Sequence, residues 1–121
     1  MHTVHKNEAE GLDLPGRTVF VLAGNDARAK LKSDRMTFGM AEVPPQSAMQ
    51  PHSHAHEEEL ILVLQGFGRV VIDGQEEALE PDVLIALPVG SEHYIVNTSK
   101  STMKFAFCFS PCVSIGSYDR K

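Results

Sequence analysis

Turn-forming residues interrupt this sequence at short intervals, and they limit how long any regular element can be. These turn signals stand at Pro15-Gly16, Gly24-Asn25, Pro44-Pro45, Gly66-Phe67-Gly68, Asp73-Gly74, Pro81-Asp82 and Pro88-Val89-Gly90. The stretches between them are β-branched, aromatic or alternating in polarity, at residues 18–22, 36–43, 60–64, 69–73, 83–87, 93–96 and 105–109. This pattern predicts many short strands, and therefore an all-β sandwich or barrel.

The rest of the sequence gives no reason to divide the chain into more than one domain. Residues 25–32 alone have a helical look, and their short length predicts a loop or a single turn, so we expect negligible helix. We predict one domain over residues 1–121, with a core at about 36–110 and an N-terminal strand at about 17–23. Residues 114–121 are polar and are expected to form a loose C-terminal tail.

Composition and charge exclude several classes of protein. The net charge is −5, with 16 acidic against 11 basic residues, which argues against a general nucleic-acid binder. No apolar run approaches the ~20 residues that a membrane-spanning helix needs. The first residues lack the apolar core of a signal peptide, and the chain has only two cysteines, so we expect a cytoplasmic protein without a disulfide scaffold.

Histidines are concentrated in one segment, where His52, His54 and His56 precede Glu59. Residues two apart on a strand project to the same side, so His52 and His54 can face inward together. Glu59 has the wrong parity for one unbroken strand, which predicts a bend or bulge at residues 55–57. His93 follows the turn at residues 88–90 and opens a new strand. Imidazole and carboxylate together suit divalent Mn, Fe, Ni, Co, Cu or Zn.

These segments resemble the two motifs of the cupin superfamily, in particular its small single-domain members. His52-x-His54-x4-Glu59-x6-Gly66 matches the core of the first motif, and Pro88-x-Gly90-x2-His93-x3-Asn97 matches that of the second. The glycine that begins each family motif is replaced by Gln46 and by Asp82, at turn positions rather than at ligand positions. The resemblance covers roughly residues 36–110.

The resemblance implies a jelly-roll barrel, the double-stranded β-helix of cupins, with one divalent transition metal near one mouth. The implied ligands are His52, His54, Glu59 and His93. His56 is the rival within the cluster, although its pairing with His54 would break the family spacing. Glu57 and Glu58 are expected to be solvated or to lie behind the ligands, and Asn97 is expected to brace a turn.

Four ligands on such a metal leave a position open, which favours a catalytic site over a structural one. The predicted function is a metal-dependent enzyme acting on a small oxygen-chelating or carbonyl-containing substrate, with dioxygenase, isomerase, decarboxylase or lyase chemistry. The alternative is a non-catalytic cupin that binds or senses a small molecule. The catalytic residues stay open, because strand parity alone cannot orient the acid–base candidates, which are Glu42, Gln50, Glu57, Tyr94 and Lys104.

Two further predictions concern the faces of the strands. The apolar candidates for the pocket are Met36, Phe38, Met40, Ile61, Val63, Ile95, Phe105 and Phe107. If Glu59 points into the barrel, then Leu60, Leu62 and Leu64 point out of it and form an apolar outer face that needs a cover. We therefore expect a homodimer, as is common among small cupins, often with the N-terminal strand crossing to the partner.

Overall fold

The structure is a computed structural model that describes residues 2–113, and it consists of two antiparallel sheets that face each other. The larger sheet has seven strands, and the smaller sheet has four. The predicted all-β cupin-type fold is confirmed, and the one helical segment among residues 2–113 is a 3₁₀ turn at Lys6–Glu8.

The strands are short, as the turn signals predict. Those of the larger sheet are β1 (Gly11–Leu14), β2 (Arg17–Gly24), β3 (Leu31–Lys32), β4 (Thr37–Val43), β6 (Glu58–Gln65), β9 (Leu84–Leu87) and β11 (Met103–Ser110). Those of the smaller sheet are β5 (Ser47–Ala48), β7 (Gly68–Ile72), β8 (Gln75–Leu79) and β10 (His93–Asn97). The larger sheet has the order β1-β2-β4-β11-β6-β9, with the short β3 paired in parallel to β2, and the smaller sheet has the order β5-β10-β7-β8. The helical-looking residues 25–32 form turns followed by β3, and the predicted N-terminal strand is β2. The predicted tail at residues 114–121 lies outside the described residues.

The turns take the backbone conformations that their residues favour. Asp73 and Gly74 both have positive φ and join β7 to β8 in a two-residue hairpin, with Ile72 opposite Gln75. Asn97 braces another connection, as predicted, because its Nδ2 donates to the carbonyls of Val43 and Pro44 at 3.1 and 3.0 Å. No helix within residues 2–113 is long and apolar enough to cross a membrane.

The barrel interior is filled by alternate residues of the strands. Ile61, Val63, Ile95, Phe105 and Phe107 are buried there, as predicted. The prediction for β4 is wrong: Met36 and Phe38 are exposed, Met40 is half-buried, and the buried residues of this strand are Thr37, Gly39, Ala41 and Val43. The physical reason is space, since a Cβ on Gly39 would lie 2.6 Å from Cζ of Phe107. β4 therefore turns its small residues inward and its larger ones outward.

Candidate metal centre

His52 and His93 are held side by side by a backbone bridge. His52 N donates to His93 O at 3.1 Å, and His93 N donates to His52 O at 2.9 Å. The extended segment that follows β5 thus continues alongside β10 and delivers His52 to the opening residue of that strand. The centroids of the two imidazoles are 4.4 Å apart, and both residues are buried.

A backbone carbonyl fixes the orientation of each of these rings. His52 Nδ1 lies 3.0 Å from Gln50 O, and His93 Nδ1 lies 3.2 Å from Ser91 O. A carbonyl can only accept, so each Nδ1 carries the proton, and each Nε2 keeps a lone pair for a ligand. In metal sites this outer hydrogen bond commonly sets the tautomer of a ligating histidine.

His54 completes a group of three. Its ring centroid is 5.2 Å from that of His52 and 5.7 Å from that of His93, and Phe109 packs against it edge-on at 4.7 Å. One ligand nitrogen from each of the three histidines lies within 4.8 Å of the other two. Gly90 N donates to His54 O at 2.9 Å, which ties the loop of the second motif to that of the first. Two loops distant in sequence therefore converge on one point.

Glu59 reaches the same point from β6. The chain bends at Ala55 and His56, as the parity of the sequence predicts, and Glu59 is 6% exposed. Its Oε1 lies 3.3 Å from Nε2 of His93 and 3.9 Å from Nε2 of His54. The carboxylate thus borders His54 and His93, and it comes from the larger sheet.

Burial controls the charge of this centre. Desolvation lowers the pKa of His52 from 6.5 to about 3, against the opposing effect of its hydrogen bond to Gln50, and the charges of His93 and Arg17 lower it further. Desolvation also raises the pKa of Glu59, against the opposing effects of His93 and Arg17. Without a metal, burial therefore favours the neutral form of His52 and shifts Glu59 towards its protonated form.

A divalent ion fits the atoms that meet here. Glu59 Oε1 and His93 Nε2 are fully buried, and within residues 2–113 neither has a hydrogen-bond partner of good geometry, although they lie 3.3 Å apart. Unsatisfied buried polar atoms are costly, and a cation between them would satisfy both. His52, His54 and His93 are the residues that could hold it, with Glu59 beside them, and this nitrogen and oxygen donor set suits first-row transition metals.

The other acidic and histidine candidates lie outside the group. His56 is exposed and does not belong to the group formed by the three buried histidines. Glu57 is half-buried, and its Oε1 lies 4.0 Å from Nδ1 of His54, behind the ring. Glu58 is exposed on the outer face of β6.

None of the other acid–base candidates is fully buried. Glu42 forms an ion pair with Lys6 at 2.9 Å, and Gln50 is exposed. Tyr94 and Lys104 are half-buried, and Tyr94 packs against the hydrophobic core. The sequence reasoning missed a buried cation, Arg17, because an arginine beside a Pro-Gly turn suggests a surface position. Its signal was the alternation of Arg17 with Val19 and Val21, which face the interior.

Known proteins match both the sequence and the fold. The dimethylsulfoniopropionate lyase DddW of Ruegeria pomeroyi is 29% identical over 118 residues, which cover 90% of this chain and 74% of that protein. The polyketide cyclase RemF of Streptomyces resistomycificus superposes with a TM-score of 0.75 at 28% identity, covering 93% of this chain and 80% of that one. KdgF of a Halomonas species shares the fold, with a TM-score of 0.73 at 19% identity, over 90% and 94% of the two chains. Residues 39–110 match the family described as the cupin domain, and the chain belongs to that family.

Proposed function

We propose that this protein is a metal-dependent enzyme that acts on a small substrate with a carbonyl or carboxylate oxygen. The observation that carries the proposal is the convergence of His52, His54 and His93, with two of their rings oriented by backbone carbonyls. Its relatives favour elimination or cyclisation chemistry, since one is named a lyase and another a cyclase. Dioxygenase, isomerase and decarboxylase chemistry are alternatives on the same site.

The proposed ligands are His52, His54, Glu59 and His93, and the proposed metal is one divalent ion of Mn, Fe, Ni, Co, Cu or Zn. When bound, such an ion polarises a coordinated oxygen and stabilises negative charge that develops on the substrate. The surrounding residues contribute a dry environment. Ile61, Ile95 and Phe107 exclude water and strengthen the electrostatic interactions inside the barrel.

A substrate panel tests this proposal. Protein reloaded with the metal found on purification is incubated with small β-substituted carboxylates, β-keto acids and polyketide-like diketones, and the products are identified by mass spectrometry. We expect metal-dependent turnover of at least one class, which His93→Ala abolishes and His56→Ala retains. Metal-loaded protein that turns over none of these classes would contradict an enzymatic role of this kind.

A non-catalytic binding or sensing cupin is the second candidate. It is favoured by Glu42, Gln50 and Lys104, none of which is buried, and Glu42 is held in an ion pair with Lys6. Binding of a small oxygen ligand without any product would support this candidate. A cytoplasmic location is also part of the proposal, since both cysteines are free thiols, which suits a reducing compartment.

A further inference from the structure

The ring of His54 lies between two carboxylates, one near each of its nitrogens. Oε1 of Glu59 is 3.9 Å from Nε2, and Oε1 of Glu57 is 4.0 Å from Nδ1. Within residues 2–113, Glu57 and Glu59 are the only acidic residues with an oxygen within 4.0 Å of a ring nitrogen of His52, His54 or His93. The metal centre therefore has a second carboxylate close behind one of its proposed ligands.

The bend at Ala55 and His56 places Glu57 in this position. It turns the chain between His54 and β6, so that a side chain three residues after His54 comes back towards the ring. Glu58 then lies on the outer face of β6, and Glu59 faces the interior. Of three consecutive glutamates, two therefore border His54, and the exposed Glu58 provides a matched control.

Water screens the carboxylate of Glu57 only in part. Its side chain is 15% exposed, and that of His54 is 5% exposed. Within residues 2–113, no lysine or arginine lies within 4.0 Å of the Glu57 carboxylate. A charge that is largely withdrawn from water is costly, and it acts more strongly on its neighbours than a surface charge does. A cation bound at the histidines would offset this cost.

A carboxylate on the outer side of a histidine also makes that histidine a better ligand. His52 and His93 have a neutral acceptor at this position, since Nδ1 of each lies near a backbone carbonyl. The negative charge of a carboxylate favours the proton on Nδ1, keeps the lone pair on Nε2, and raises the basicity that Nε2 offers to a metal. Glu57 can therefore strengthen metal binding without touching the ion.

We propose that Glu57 is a positioning residue of the metal centre, whose negative charge behind Nδ1 of His54 strengthens the bond of this histidine to the ion and so tightens metal binding. The inference rests on the proposed metal site and concerns a residue outside the proposed ligand set. The simpler role for Glu57 is a structural one, in which it only shapes the bend at Ala55 and His56. The two roles differ for glutamine, which has the size of glutamate but no charge.

Competition with a chromophoric chelator, on protein stripped of metal, measures the affinity for Zn²⁺. We expect Glu57→Gln to bind Zn²⁺ about tenfold or more weakly than the wild type. Glu58→Gln removes the same charge one residue away, on the outer face of β6, and its affinity should stay within about twofold of the wild type. In urea denaturation of the metal-free proteins, Glu57→Gln should be no less stable than the wild type, whereas a structural role predicts a loss of stability.

The outcomes distinguish this inference from the function on which it rests. Wild-type protein that does not bind Zn²⁺ would overturn the proposed function and this inference with it. Wild type that binds Zn²⁺, with equal affinity in Glu57→Gln, would overturn the role of Glu57 alone, as would equal losses in Glu57→Gln and Glu58→Gln. If Glu57→Gln does not fold, Glu57→Asp and Glu57→Asn decide, because their side chains differ in charge and hardly in size. We expect the Asn variant to bind Zn²⁺ at least threefold more weakly than the Asp variant, and equal affinities would overturn the inference.

Discussion

The carboxyl group of Glu59 links the stability of the protein to its metal. Burial raises its pKa, so in the metal-free state the folded protein binds a proton that the unfolded chain has already released above about pH 4.5. The free energy of unfolding therefore falls as the pH rises from about 4.5 towards the raised pKa of the folded state. This loss of stability is the penalty for burying the carboxyl group, and it is absent below about pH 4.5.

Replacement of Glu59 by Gln should remove this penalty. We predict that metal-free Glu59→Gln is more stable than metal-free wild type at pH 7–8, and that the difference disappears towards pH 4, in urea denaturation at a series of pH values. The same variant should bind metal at least about tenfold more weakly, because it lacks the anionic ligand. A variant that is less stable than wild type at pH 8 would show that the carboxylate is stabilised by something other than a metal.

Two other residues carry backbone strain. Gln46 and Asp82 stand where the cupin motifs have glycine, and both have positive φ, 49° and 78°. A side chain in this left-handed region costs roughly 1–2 kcal/mol, whereas glycine adopts it freely. The left-handed backbone of these turns thus explains why the family motifs have glycine there. This chain can carry Gln46 and Asp82 instead because neither position supplies a metal ligand.

Asp82→Gly should therefore stabilise the protein by about 0.5–1 kcal/mol, after allowance for the greater entropy of glycine in the unfolded chain. Thermal denaturation should show a rise of about 2–5 °C in Tm. Glu80→Gly, an exposed position in the same connection without positive φ, is the control and should destabilise. Equal effects of the two substitutions would contradict the strain at Asp82.

At the scale of the elements, the alternation of residues along a strand predicted which face is buried only where one face carries a charged or ligating residue. In β6, Glu59 faces the interior and Leu60, Leu62 and Leu64 face outward, as the alternation predicted. In β4 both faces carry apolar residues, so the pattern alone could not identify the buried face. The answer depends on β11, whose Phe107 fills the space over Gly39, and such packing between strands distant in sequence is invisible to a local pattern.

This packing makes Gly39 sensitive to substitution. A methyl group there would meet the carbonyl oxygen of Phe20 as well as the ring of Phe107, and backbone cannot move aside as a side chain can. We predict that Gly39→Ala lowers the free energy of unfolding by about 1–3 kcal/mol in urea denaturation. Gly11→Ala, in the exposed β1, meets only the end of the Phe20 ring and Thr18, and it should cost far less. Equal costs would place Gly39 outside the packed interior.

Only part of the metal centre could be predicted, because local spacing shows the ligands but not the contacts between segments distant in sequence. His52, His54 and His93 are brought together as the motif spacing indicated, and the bend at Ala55 and His56 follows from parity. The burial of Arg17 was signalled by its alternation with Val19 and Val21, but its place next to Gln50 was not, because that depends on how the β1–β2 turn packs against a segment about 35 residues away in the sequence.

At the scale of the whole molecule, the outer face of the larger sheet is apolar, and no part of residues 2–113 covers it. Phe38, Leu60, Leu62 and Leu84 are 41%, 47%, 39% and 60% exposed. Strand pairing places them in two adjacent rows, with Cys108 between Phe38 and Leu60, and with Leu84 next to Leu62. Exposed apolar patches of this kind mark interfaces. We predict a homodimer that buries this face against the same face of a second copy.

Sedimentation velocity at micromolar concentration should give twice the mass of the chain. Leu62→Glu, at the centre of the face, should sediment as a folded monomer, whereas Val89→Glu, equally apolar and exposed but in a loop outside the sheet, should remain dimeric. Wild type that sediments as a monomer would contradict the prediction.

Metal analysis of the protein purified without added metal tests the central claim most directly. The account predicts close to one divalent transition metal ion per chain in the wild type. His52→Ala, His54→Ala and His93→Ala should each lose most of the ion while remaining folded, because the apolar strands form the core without it, and His56→Ala should retain it. Loss of metal from His56→Ala with retention by His52→Ala would contradict the ligand assignment, and full occupancy in every ligand variant would contradict a metal centre at this site.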